Sequence, residues 1–319
     1  MNEFALINLL KKKIPHNLQG AIGIGDDAGV FTVPLGESLA FTSDIMVEGV
    51  DFFFDHKKKN RKKLGVLSPE KTGAKALAIN FSDLAAMGAY PRAFIVSLGV
   101  PKDLSADWLK RFYQGMMVLA RQFNTACVGG DVSRSKEFFV TIALVGSSKP
   151  KQLVQRKGAR PGDWIGVTGA LGGSLLRRHA IFQPRIAAGQ FLAKNFKPTS
   201  MIDISDGLIQ DLEHILRMSG VGAALELTEI PISGDAVKLA KGDGMKAFER
   251  ACTDGEDFEL LWTMRPSQKF RFEKAWRKQF SKIPLSWIGR IEKGTKIRWT
   301  LQGRAMKSPK FKRGGFQHF

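Results

Sequence analysis

Cysteine is nearly missing from this chain of 319 residues: there are two, Cys127 and Cys252, far apart and outside any CxxC spacing. A disulfide framework and a zinc site are thereby not indicated, and both side chains are expected as buried core thiols. Long apolar runs are missing too, none approaching the roughly 18 residues that a membrane span needs. The opening Met1-Asn2-Glu3-Phe4 is not a basic region leading into an apolar secretory core, so a cytoplasmic location is expected. Low-complexity tracts and repeats of fixed period are absent. Acidic charge is the scarcer sign, with 49 Lys+Arg against 30 Asp+Glu, a net charge of +19 and a pI near 10.0. That balance attracts anions without choosing among them. The densest run, Lys57-Lys58-Lys59-Asn60-Arg61-Lys62-Lys63, reads as a solvated loop. No aromatic interleaving or known module accompanies it, so nucleic acid is disfavoured as a partner and phosphate-bearing small molecules are favoured.

What is present is a globular composition, 44% hydrophobic and 25% charged, in a chain long enough for two domains. Strand-like and helix-like stretches alternate, which predicts an α/β fold with mixed sheets. An amphipathic helix is expected over 3–13, then a strand, a Gly-Asp-Asp turn and a strand over 21–31. A second buried strand is expected over 39–44, and a small-residue helix ends at Tyr90-Pro91. Strands are expected at 92–100 and 126–128, the latter pairing as a hairpin with 138–146, and a helix over 106–123. Pro150 and Pro161-Gly162 mark a composition shift, which sets the domains at 1–148 and 149–319. Beyond it, Trp164 to Gly169 reads as a strand whose glycine-rich end opens a helix, without the lysine of a P-loop. The run from Met201 reads as a strand breaking into a helix whose first turn holds Asp206 as a possible cap.

The acids that do occur are not scattered. Nine of the 30 Asp+Glu fall in six short motifs flanked by glycine or serine. These are Gly25-Asp26-Asp27, Thr42-Ser43-Asp44, Asn80-Phe81-Ser82-Asp83, Gly129-Gly130-Asp131, Asp203-Ile204-Ser205-Asp206-Gly207 and Gly255-Glu256-Asp257. Asp83 sits in Asn80-Phe81-Ser82-Asp83-Leu84-Ala85-Ala86-Met87-Gly88, where small residues let elements approach closely and a buried carboxylate would need a cation. Hydroxyls and carboxylates dispersed in this way suit Mg²⁺, which takes oxygen ligands and keeps waters and substrate phosphates in its shell.

Taken in order, and with Val47-Glu48-Gly49-Val50 and the terminal Gly315-Phe316-Gln317-His318-Phe319, these blocks resemble the thiamine-monophosphate kinase family of the aminoimidazole-ribotide-synthetase-like superfamily. The resemblance implies a two-domain α/β fold, with residues 1–148 binding ATP and Mg²⁺ and pairing in a homodimer, and 149–319 completing the active site. It implies transfer of the ATP γ-phosphate to thiamine monophosphate. By motif, Asp27, Thr42, Ser43, Asp44, Asp83, Asp131, Asp203 and Asp206 match positions that hold several Mg²⁺ ions, with Asp44, Asp83 and Asp131 central to catalysis. Gly130, Asp131, Arg156 and Ser205 match nucleotide contacts, and Asp51, Glu256 and Phe316 match the acceptor side. One departure stands out, because after Val-Glu-Gly-Val the family usually has His before Phe and this chain has Asp51-Phe52. None of the five histidines falls in a nucleophile or metal motif, and none is needed, since a phosphate monoester is itself a competent nucleophile near neutral pH.

Overall fold

The computed structural model of the chain describes residue 28 and residues 31–60 and 63–311. The helix expected over 3–13, Asp27 and Phe316 lie outside the described residues, as does the 21–31 stretch apart from Ala28 and Phe31. The chain divides into two compact units, the first made of Met1–Leu84, Ala89–Lys151 and His179–Pro184, the second of Ala85–Gly88, Gln152–Arg178 and Arg185–Phe319.

The first unit carries β1 (Ser38–Val47), β2 (Phe53–Phe54), β3 (Val66–Leu67), α1 (Pro69–Met87), β4 (Tyr90–Val100), α2 (Ala106–Gln122), β5 (Ala126–Arg134) and β6 (Phe139–Ser148). Four of the strands form one sheet in the order β1-β6-β4-β5. β4 pairs with β5 in parallel and with β6 antiparallel, so the expected hairpin between 126–128 and 138–146 does not form. The physical reason is the helix between the two strands: β4, α2 and β5 make a crossover unit, which returns the chain parallel and leaves β6 to the other side of β4. β1 is longer than expected and, among the described residues, is an edge strand paired only with β6. Its residues alternate between half-buried and exposed, instead of being buried throughout.

α2 forms because its apolar residues recur at helical spacing, burying Trp108, Leu109, Phe112, Tyr113, Met116 and Ala120, and because Ser105 caps it by accepting the Trp108 N–H at 3.1 Å. α1 and α2 cross with their backbones touching. A Cβ on Gly73 would run into the Phe112 carbonyl and one on Gly115 into the Glu70 carbonyl, so only glycine serves at these two positions. Phe52, Phe54, Trp108, Phe112 and Phe138 interlock as neighbouring edge-to-face and stacked rings 4.9 to 6.1 Å apart.

The second unit contains β7 (Trp164–Thr168), α3 (Ile186–Asn195), β8 (Ser200–Asp203), α4 (Leu208–Ser219), β9 (Gly222–Glu226), α5 (Gly234–Leu239), α6 (Gly244–Thr253), β10 (Leu260–Met264), α7 (Lys269–Gln279), β11 (Leu285–Glu292), β12 (Ile297–Leu301) and β13 (Arg304–Met306). Its strands form a mixed sheet in the order β13-β12-β9-β11-β7-β10-β8. Ile165, Val167, Ile202, Leu208, Leu212, Ile215, Phe248, Leu261 and Ile288 belong to one buried cluster that joins the sheet to α4 and α6. The glycine-rich segment after β7 does not open a helix. Gly172 and Gly173 take positive φ of 83° and 71°, and only a short 3₁₀ turn, Ser174–Leu176, follows. α4 starts at Leu208, two residues beyond Asp206, with Gly207 in the capping position and no side-chain cap. Cys127 and Cys252 are both buried and free, as expected, and burial pushes the Cys127 thiol up to about 12.

Candidate active site

In the first unit, strand alternation puts Thr42 and Asp44 on one face of β1 and Ser43 on the other, where it is exposed. The Thr42 hydroxyl donates a short hydrogen bond to Oδ2 of Asp83, which projects from the last turns of α1. Two of the acidic motifs, some forty residues apart in the chain, therefore meet directly. The row of paired residues that begins at Asp44 runs through Ile142 and Val96 to Gly130 on β5. Asp131 lies in the adjacent row with Ile45, Thr141 and Ser97, is exposed, and accepts the Val132 N–H at 2.9 Å. A Cβ at Gly130, where φ is 155°, would collide with the Val96 carbonyl, so β5 is pressed against β4 at this motif.

Asp51 has a local task. Its carboxylate accepts the Val47 N–H at 2.7 Å, and its carbonyl accepts from Lys75 Nζ at 3.2 Å. Lys75 is itself fully buried and lies 3.0 Å from Nδ1 of buried His179. An acid at position 51 thus closes the turn after β1, a role invisible in the motif.

In the second unit, β8 ends at Asp203 and a four-residue loop, 204–207, leads into α4. Asp203 is buried, Ser205 and Asp206 are half-buried, and the Gln210 amide donates to Asp206 at 3.2 Å. Asp211, which no motif singled out, is buried and accepts the N–H groups of Ser205 and Asp206, both at 3.0 Å. Burial above all, then the charges of Asp203 and Asp206, push its carboxyl up to about 8. Asp206, Asp211 and His214 offer donor atoms within 4.8 Å of one another. Nδ1 of His214 already takes an N–H from Arg217 at 2.9 Å, so what the cluster offers a cation is its carboxylate oxygens and the other ring nitrogen, Nε2. Burial, then the positive charges of Arg156 and Arg217, hold His214 below the usual imidazole range, which places exposed Arg156 within electrostatic reach of the cluster. Carboxylates crowded until one of them resists ionisation fit a hard divalent cation such as Mg²⁺, which would relieve the repulsion.

The Gly-Glu-Asp segment lies along this loop. Glu256 N–H donates to the Ser205 carbonyl at 2.7 Å and Phe258 N–H to the Ile204 carbonyl at 2.8 Å. A Cβ on Gly255 would sit 2.5 Å from the Ser205 oxygen, so the close approach requires glycine there. Glu256 and Phe258 hold positive φ of 62° and 51°, strained for residues with side chains and of the kind found at functional sites. Asp257 and Glu259, in contrast, are clamps. Asp257 takes both the Gly172 N–H and the Arg178 guanidinium, the latter at 2.7 Å, while Glu259 is gripped by Arg185 at 2.8 and 2.6 Å. Sequence reasoning missed Asp211, Arg178 and Arg185 because each acts on a segment remote in the chain or on backbone N–H groups. An acid five residues after Asp206, at the start of the following helix, was the one available signal.

Comparison with known proteins places these features. Residues 25–148 match the family AIR synthase related protein, N-terminal domain. The thiamine-monophosphate kinase of Rhodopirellula baltica is 36% identical over 283 residues, 86% of this chain and 84% of that protein. The crystal structure of thiamine-monophosphate kinase from Stenotrophomonas maltophilia superposes with a TM-score of 0.80 at 30% identity, covering 96% of this chain and 98% of that one. A structure of AaThiL complexed with AMPPCP and TMP superposes with a TM-score of 0.73 at 28% identity, covering 99% and 97%.

Proposed function

The chain belongs to the thiamine-monophosphate kinase family, and we propose that it phosphorylates thiamine monophosphate to thiamine diphosphate with the γ-phosphate of ATP. The AaThiL complex pairs an ATP analogue, AMPPCP, with TMP, so a relative of the same fold binds donor and acceptor together. The observation that carries the proposal is geometric: donor atoms of Asp206, Asp211 and His214 lie within 4.8 Å of one another in the loop and helix that follow buried Asp203, with Arg156 in electrostatic reach. Acids gathered against their own repulsion make sense where cations will bind, and a guanidinium suits the phosphates those cations accompany.

Bound Mg²⁺ would neutralise the phosphate oxygens and bring two anionic substrates together. Asp27, Thr42, Ser43, Asp44, Asp83, Asp131, Asp203 and Asp206 are the residues we assign to hold it. Gly130, Asp131, Arg156 and Ser205 are assigned to the nucleotide, with Asp51, Glu256 and Phe316 on the acceptor side. Among the described residues, Thr42 orients Asp83 through its hydroxyl, and the 256–258 backbone fixes Ser205 through its carbonyl. No protein nucleophile is required, and both thiols are buried, so the phosphoryl group passes directly between substrates. The proposed division of labour keeps 1–148 for ATP, Mg²⁺ and dimerisation and 149–319 for completing the active site. Among the described residues no helix is long and apolar enough to cross a membrane. A cytoplasmic location, and no role for nucleic acid, go with the proposal. The deciding experiment is a product assay with ATP, Mg²⁺ and thiamine monophosphate beside a panel of other phosphorylated acceptors. Thiamine diphosphate should form fastest, and the proposal fails if another acceptor is strongly preferred or ATP is only hydrolysed.

A homodimer through the first unit is part of the same proposal. Leu39, Phe41, Ile45 and Ile95 leave one face of the four-stranded sheet with exposures of 43, 73, 54 and 42%. Exposed apolar side chains on β1 and β4, sharing one sheet face, mark a surface that another sheet would cover. Phe41→Glu should turn a dimer into a monomer in sedimentation velocity; a wild-type monomer at micromolar concentration would remove this part of the proposal.

A further inference from the structure

We propose that Asp211 is a positioning residue, whose carboxylate holds the peptide N–H groups of Ser205 and Asp206 and so fixes the loop that presents both side chains. What the loop is aimed at rests on the function proposed above; the hold itself does not.

Between the end of β8 and the start of α4 these two N–H groups have no ladder partner among the described residues, and the capping position is Gly207, which has no side chain to offer. Asp211, in the first turn of the helix, reaches back over five and six residues and accepts both on Oδ2 at 3.0 Å. Only 2% of Asp211 is exposed, so water does not replace this acceptor easily. The same peptides are held from the other side, where the Ser205 and Ile204 carbonyls accept the N–H groups of Glu256 and Phe258 at 2.7 and 2.8 Å. The loop is therefore clamped through donors by Asp211 and through acceptors by the 256–258 segment. Asp206 gains a further tie from Gln210, so its carboxylate is held in place before any ligand arrives. A helix-borne acid serving a loop in this way pre-organises a binding constellation from a rigid element.

The competing role for Asp211 is direct contact with a cation, and the amide isostere separates the two. Hydrogen exchange resolved to single residues, on the full chain without nucleotide or metal, is the primary readout. Wild type should protect both the Ser205 and Asp206 amides; fast exchange there overturns the proposal without any variant. Asp211→Ala should speed their exchange by at least about tenfold, the scale of a lost buried acceptor. Asp211→Asn should stay near wild type, because its amide oxygen still accepts both N–H groups. In the kinase assay, Asp211→Ala should raise KM for ATP about tenfold or more and lower kcat, with Asp211→Asn restoring both to within about threefold. If Asp211→Asn keeps amide protection but fails in catalysis as badly as Asp211→Ala, the carboxylate is a cation ligand and the positioning role is wrong. Exchange that follows these expectations in a protein inactive on ATP would leave the hold standing and remove the function; unaltered exchange in an active Asp211→Ala enzyme would do the reverse.

Discussion

Asp83→Asn should reduce kcat by roughly 10²–10³-fold, the loss seen when one preorganised electrostatic group is removed from a polar active site. The expectation follows from how Asp83 is held. It leaves α1 between residues packed at close quarters, and the Thr42 hydroxyl donates to it across from β1. An asparagine of the same shape can still accept that hydrogen bond, so the helix and the strand should remain docked and stability should change by no more than about 1 kcal/mol. What disappears is the negative charge that would compensate a cation beside phosphate. Asp44→Asn, two residues from Thr42 on the same strand face, should lose activity on a similar scale, and Ser43→Ala, on the exposed face, should lose least of the three. Each variant should also need more Mg²⁺ to reach half its own maximal rate. Steady-state rates across an Mg²⁺ titration, with thermal melts alongside, check the set. Wild-type kcat and unchanged Mg²⁺ dependence in Asp83→Asn would remove this residue from the site.

The site was legible in the sequence where chemistry is written into short blocks. Thr42 and Asp83 were singled out from separate motifs and are hydrogen-bonded to each other; Asp203, Asp206 and Ser205 were singled out and occupy one strand end and the loop after it. The alternation of strands and helices gave the mixed α/β class, and the family's solved structures share that fold. Illegible was whatever depends on who pairs with whom. The sequence near Gly129-Gly130 looks like one arm of a hairpin, and only the crossover through α2 reveals that its partner is β4. Asp206 looked like a helix cap because aspartate is a good one, yet the helix starts later and Asp211 serves the loop from inside it. At Asp51 the family pattern predicted a contact to substrate, and the structure adds a turn-closing hydrogen bond that no pattern of residue types could disclose.

The largest loss of stability should come from Arg178→Ala, a change no motif would nominate. Asp257 has no exposed side-chain surface, and Arg178, itself 28% exposed, supplies its one ion pair among the described residues, at 2.7 Å. The same guanidinium donates to the Ala170 carbonyl at 2.6 Å and to Ser174 at 3.1 Å, so it ties the glycine-rich segment to the Gly-Glu-Asp segment. Removing it leaves a buried carboxylate with, among the described residues, the Gly172 N–H and the Ser174 hydroxyl, at a cost of about 3 kcal/mol, the low end for a broken buried pair because Arg178 is partly solvated. The loss should depend on pH, and its sign is fixed. Burial already raises the Asp257 carboxyl to about 7, against the opposing pull of Ser174 and Arg178. A folded-state pKa above the unfolded value of about 3.9 means that stability from this group is full at low pH and is lost as pH rises through the folded pKa. Without Arg178 that pKa climbs further, so the deficit relative to wild type should be larger at pH 8.5 than at pH 5.5, where the variant keeps Asp257 protonated. Urea unfolding followed by tryptophan fluorescence reads it well, since all tryptophans but Trp108 lie in the second unit. Adding Asp257→Asn, which carries no charge to strand, should recover part of the loss at pH 8.5 and little at pH 5.5. Equal deficits at the two pH values, or no recovery in the double variant, would mean that Arg178 stabilises the segment through its carbonyl contacts and packing and that the buried charge matters little.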